Sequence, residues 1–180
     1  MSDDLPELRT IKYPRHPGIS FGVCEAFSEA AEVCLARHHK PPRTVFSIQC
    51  CGDTSKRGLT WKSPNQTAQR AWNNRDDATR DAAYIISLAV VEKELDLVAL
   101  SRAETRTGAD YYVGTPDAAD LEEAFRLEVS GVDQGDVAVI KKRHREKERQ
   151  VLQGDSSLPA YASVVGFRDA SVLLSLVQGT

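Results

Sequence analysis

The chain has 180 residues, of which 41% are hydrophobic and 27% charged, with a formal net charge of -3. That is enough apolar material for one domain with a real core, and it excludes a polycation, so any nucleic-acid partner must be met by a local basic patch. No apolar run reaches the length of a membrane span, and the start Met1-Ser2-Asp3-Asp4 is acidic where a secretory leader is basic. The expected location is therefore the cytoplasm, with no membrane partner.

Residues 1–20 carry Pro6, Pro14 and Pro17-Gly18 and read as an extended lead-in. Phe27, Ala30, Ala31, Cys34 and Leu35 recur at helical spacing and predict a helix over 21–39, stopped by Pro41-Pro42. A short strand is expected at 44–48. A polar loop follows over 52–65, with Leu59-Thr60-Trp61 as a possible further strand inside it. Residues 67–72 read as an introductory turn. Asn74 to Asp77 supply cap candidates and acids for the positive end of a long helix that runs to about Leu95. Its buried stripe is Ala82, Ile85, Ile86, Leu88 and Ala89. Strands are expected at 97–103, around Asp110 and around Glu128, with a polar connection over 115–123. A second long helix covers 136–152, and strands at 161–167 and 172–177 complete the chain. The expected fold class is α/β, a mixed central sheet flanked by helices. Residues 1–70 are expected as an N-terminal extension packed on a core of residues 71–180.

Cys24, Cys34, Cys50 and Cys51 show no metal-ligand spacing and read as reduced, partly buried thiols. Trp61 and Trp72 read as packing residues of the N-terminal part. His38-His39 most simply complements the dipole of the first helix.

The chemistry-bearing feature is a pair of acids that interrupt apolar alternation. In Gly108-Ala109-Asp110-Tyr111-Tyr112-Val113, Asp110 points away from Ala109 and Tyr111. In Phe125-Arg126-Leu127-Glu128-Val129-Ser130-Gly131, Glu128 points away from Leu127 and Val129. In the right register both acids share one face of the sheet, where two oxygen donors suit a hard divalent cation such as Mg²⁺. On the second long helix, Val137, Ile140, His144, Lys147 and Val151 share a stripe, and Gln150 lies one turn after Lys147. Glu92 continues the stripe of the first long helix, and a carboxylate on a buried face needs a partner or an ion. The basic run from Lys141 to Arg149, with Lys141, Lys142, Arg143 and Arg145, reads either as a phosphate contact or as a solvated helix surface. Arg102 and Arg106 can extend that patch.

The order helix, three strands, helix, strand over residues 76–177 resembles the PD-(D/E)XK, or restriction-endonuclease-like, nuclease superfamily. Asp110 matches the acid of its second strand, and Glu128-Val129-Ser130 matches its acid-x-Lys motif, with Ser130 in place of lysine and Ala109 where proline is common. The resemblance implies a nuclease that hydrolyses DNA, with RNA as a second choice, using Mg²⁺ or Mn²⁺. It implies Asp110 and Glu128 as metal ligands, Glu92 as a third, and Lys147 as a lysine moved to the neighbouring helix. Lys141, Lys142, Arg143, Arg145 and Gln150 would contact nucleic acid. A homodimer or partner subunit and a role in genome defence or DNA processing fit the same resemblance. Two rival readings stand beside it: a degenerate nuclease fold that only binds nucleic acid or acts as a scaffold, and a protein-interaction module of the immunity or antitoxin kind.

Overall fold

The computed structural model describes residues 3–118 and 120–178. The first two residues of the acidic start and one residue of the 115–123 connection lie outside them. Among the described residues, no helix is long and apolar enough to cross a membrane.

Helix α1 (Phe21–His38) opens on Ser20, whose hydroxyl accepts from the Val23 amide at 3.3 Å. A hairpin follows, β1 (Arg43–Cys50) and β2 (Asp53–Thr60), turning through Cys51 and Gly52 at positive φ. After a short helix α2 (Gln66–Ala71) comes α3 (Arg75–Leu95), capped by the Asn74 carboxamide, which accepts from the amides of Asp76 and Asp77. Strands β3 (Val98–Arg102), β4 (Tyr111–Gly114) and β5 (Phe125–Val132) follow, then α4 (Val137–Leu152) and strands β6 (Ala160–Gly166) and β7 (Ser171–Val177). The Asp136 carboxylate caps α4 by accepting from the Val139 amide.

All strands join one seven-stranded sheet in the order β2-β1-β7-β6-β5-β4-β3. The β5–β6 and β1–β7 pairs are parallel and the others antiparallel. Helix α4 is the crossover that lets β5 and β6 run parallel. Residue alternation on β5 fixes the layers. Gly131 meets Thr79 and Ala83 of α3, while Arg126 and Glu128 reach α4 on the opposite face. A Cβ at Gly131 would stand 2.7 Å from the Thr79 carbonyl oxygen, so α3 approaches the sheet there only because the side chain is absent.

Helix α3 is apolar nearly all round rather than along one stripe, because α1 covers its outer side. Ala78, Ala82, Ala83, Ile85, Ile86, Leu88, Ala89, Val90 and Val91 are all buried. The N-terminal part departs from the sequence expectation in two ways. The lead-in is not extended but passes through a 3-10 turn at Leu8–Thr10 and further turns over 11–18. Residues 53–60 form a full strand rather than a loop. Residues 1–70 also supply two strands of the sheet, since β1 pairs with β2 and with β7 and buries Phe46 and Ile48 in the common core. The four cysteines are free thiols, with Cys24, Cys34 and Cys50 buried.

Candidate active site

The β4–β5 register builds the site. Tyr111 pairs with Leu127, Tyr112 with Arg126 and Val113 with Phe125. The regular pairing ends there, and the Asp110 amide donates to the same Leu127 carbonyl at 2.8 Å, which leaves the Asp110 carboxyl within hydrogen-bonding reach of Glu128. Asp110 thus sits at the mouth of β4 rather than within it, and its carboxylate is fixed from two sides. Oδ2 accepts from the Val129 amide at 2.8 Å and Oδ1 from the Tyr84 hydroxyl at 2.9 Å. Burial, reinforced by the Asp110 charge, pushes the Tyr84 phenol up to about 12, so it remains a donor at neutral pH.

Glu128 is 4% exposed. Lys147 on α4 donates to its Oε1 at 2.5 Å and to Gln150 Oε1 at 3.1 Å. Burial raises the Glu128 carboxyl to about 7, and Asp110 adds to this by charge and by a side-chain hydrogen bond, while Lys147 works against both. Two carboxylates in one buried place oppose each other's ionisation, and a cation between them removes that conflict. Their donor set fits a hard divalent ion, because Mg²⁺ is commonly held by one or two carboxylates with water and phosphate oxygens completing its shell. Among the described residues, no group of three or more His, Cys, Asp or Glu side chains is placed to hold a metal ion. The fit therefore rests on the pair alone.

Glu92, expected as a third ligand, is committed elsewhere. It accepts from His16 Nε2 at 2.8 Å and pairs with Arg15 at 3.2 Å. The tautomer follows from geometry, since His16 Nδ1 accepts from the Ala99 amide and leaves the proton on Nε2. Glu92 lies eight residues beyond Tyr84, about 12 Å further along α3, and does not line the cleft that holds the two acids.

That cleft has a volume of about 1050 Å³. Lys147, Gln150 and Arg143 of α4 line it, together with Arg102, Arg106 and Arg80. The basic run of α4 is thus divided. Arg143 and Gln150 face the cleft, while Lys141 and Arg145 line a separate hollow beside β7, and Lys142 borders neither. His144 turns to the Ala162 carbonyl and Ser175, away from Lys147. Arg102 lies over the rings of Tyr84 and Tyr111, at 4.5 and 4.7 Å from their centroids, and 3.7 Å from Asp110 Oδ1.

Two functional positions have only a faint signal in the sequence. Tyr84 interrupts an aliphatic helical run, and a buried phenol needs a partner for its hydroxyl. Arg126 is 5% exposed and donates to the carbonyls of Thr107, Val151 and Leu158. It ties the loop before Asp110 to the end of α4, and so sets the spacing between Asp110 and Lys147. His38 and His39 also do more than face a dipole, since they bond Asp133 and the Phe167 carbonyl.

No protein-family model, no curated protein and no solved structure matches the chain.

Proposed function

We propose that the protein is a metal-dependent nuclease of the PD-(D/E)XK type that hydrolyses phosphodiester bonds of DNA. The observation that carries this reading is the meeting of Asp110 and Lys147 around the buried Glu128, delivered by the entrance of β4, by β5 and by α4 to one wall of an arginine-rimmed cleft. The run α3-β3-β4-β5-α4-β6 supports it, because the acids sit at the entrance of the second strand and in the third. Lys147 offers the ammonium that Ser130 cannot.

Asp110 and Glu128 would hold Mg²⁺ or Mn²⁺, which when bound offsets phosphate charge and lowers the pKa of water. The remaining work belongs to the side chains. The Val129 amide and Tyr84 hydroxyl hold Asp110 in one rotamer, so the site is ordered before substrate arrives. Lys147, anchored on Glu128 and Gln150, keeps a donor for a phosphate oxygen or for the attacking water. Arg102 and Arg143 meet the flanking phosphates. Water adds to phosphorus, one P–O ester bond breaks, and the departing oxygen takes up a proton.

The test is incubation of the full chain with linear, circular and single-stranded DNA in Mg²⁺, Mn²⁺ or chelator, beside Asp110→Ala and Glu128→Ala. The expected result is cutting that needs the metal and falls at least about a hundredfold in both variants. Salt-sensitive DNA binding without any cutting would instead favour a degenerate, binding-only fold.

A further inference from the structure

A second hollow lies beside the cleft, between the end of α1, the turn after it and α2, with a volume of about 710 Å³. Pockets of this size hold a small organic ligand. Arg37, Lys40 and Arg75 line it, and no Asp or Glu does. This contrasts with a chain of net charge -3 and with the cleft, whose walls carry carboxylates. Pro42 and Trp61 provide flat apolar walls, and Asn73 adds a neutral polar group. Trp61 also borders a neighbouring hollow, and its buried Nε1–H has no acceptor among the described residues.

The hollow and the cleft share a wall. Asp133 lines the cleft, while the guanidinium groups that pair with it, Arg37 at 3.7 Å and Arg75 at 3.6 Å, line the hollow. Lys40 is exposed and has no ion pair or hydrogen bond from its ammonium among the described residues. A cationic rim beside flat apolar walls is the chemistry of a nucleotide, with phosphate on the cations and the sugar or base against the rings.

We propose that this hollow is a second nucleic-acid contact, which receives an unpaired nucleotide of the strand leaving the cleft and holds its phosphate with Lys40 and Arg75. The proposal rests on the nuclease reading of the cleft for the path of the strand. Its site does not use Asp110, Glu128 or Lys147.

The experiment uses the full chain in chelator and a short fluorescein-labelled single-stranded oligonucleotide, with affinity read by anisotropy across a salt series. Lys40→Glu combined with Arg75→Glu weakens binding at least about tenfold and flattens the salt dependence, since each lost phosphate contact on a single strand removes about 0.7 from the log–log slope. Lys40→Glu alone, at an exposed position without a partner, weakens binding several-fold with the far-ultraviolet circular dichroism unchanged. Lys56→Glu on β2 makes the same change in net charge and leaves binding within about twofold. Lys40→Glu indistinguishable from Lys56→Glu overturns the contact, even if the wild type cuts DNA in Mg²⁺. Loss of binding in Lys40→Glu from a protein that never cuts sustains the contact and removes the nuclease reading instead.

Discussion

Glu128 carries a carboxyl held near 7 by burial and by Asp110, and that has a consequence for stability. A group whose folded value is raised contributes fully below its unfolded value, and the contribution is lost as pH rises through the folded value, because the unfolded chain releases the proton first. In chelator, stability therefore falls between about pH 4.5 and about pH 7. Glu128→Gln should flatten that fall and exceed the parent near pH 8 by on the order of 1–3 kcal/mol, measured by urea unfolding across pH. Parallel curves for the two proteins would contradict the assignment. At this scale the sequence was partly legible. Asp110 and Glu128 stand out as acids in the gaps of an apolar alternation, and Lys147 by its place on a stripe with Ile140 and Val151. Glu92 shows the limit. Helical spacing tells that α3 is buried but not which end meets the cleft, and its partner His16 lies in a run of turns with no periodicity to read.

Polar side chains tie the elements to each other, and Arg126 is the clearest of these ties. Its guanidinium satisfies carbonyls from the loop before Asp110, from the last turn of α4 and from the turn before β6. Arg126→Met removes the donor to the Thr107 and Leu158 carbonyls, while the Val151 carbonyl keeps the Gly154 amide, and should cost about 2–4 kcal/mol in urea unfolding. It should also lower cleavage, because Asp110 and Lys147 lose their common anchor. A variant as stable as the parent would show that the tie is dispensable. Long elements were readable from the spacing of their residue types: α1 and α3 by helical recurrence of apolar residues, β5 by apolar–polar alternation, α4 by its cap and stripe. Strand β2 was not. It is an edge strand whose residues from Asp53 to Ser55 are exposed or partly exposed, so no alternation marks it, and Gly58 within it and Gly52 before it point to a loop. Helix α2 is six residues long, too short for a stripe to emerge.

Across the whole molecule, the division at residue 70 dissolves into one sheet. Strand β1 covers the edge of β7, and α1 covers the outer side of α3, so a fragment of residues 71–180 would expose an unpaired strand edge and apolar helix surface together. That fragment should aggregate or lack a cooperative melt, whereas the full chain should unfold in one transition, as size-exclusion chromatography and thermal denaturation will show. A soluble, cooperatively melting fragment would restore the two-part description. Long-range pairing of this kind leaves no trace in local composition, because the partner of β1 lies more than a hundred residues away in the chain.

The most direct measurement is the single-turnover cleavage rate of circular plasmid DNA in Mg²⁺ by the wild type and by Lys147→Ala. The expected result is cutting by the wild type and a loss of at least about a hundredfold on removing the ammonium that touches Glu128. A wild-type protein that leaves the plasmid intact, or a Lys147→Ala protein that cuts as fast as its parent, would contradict it.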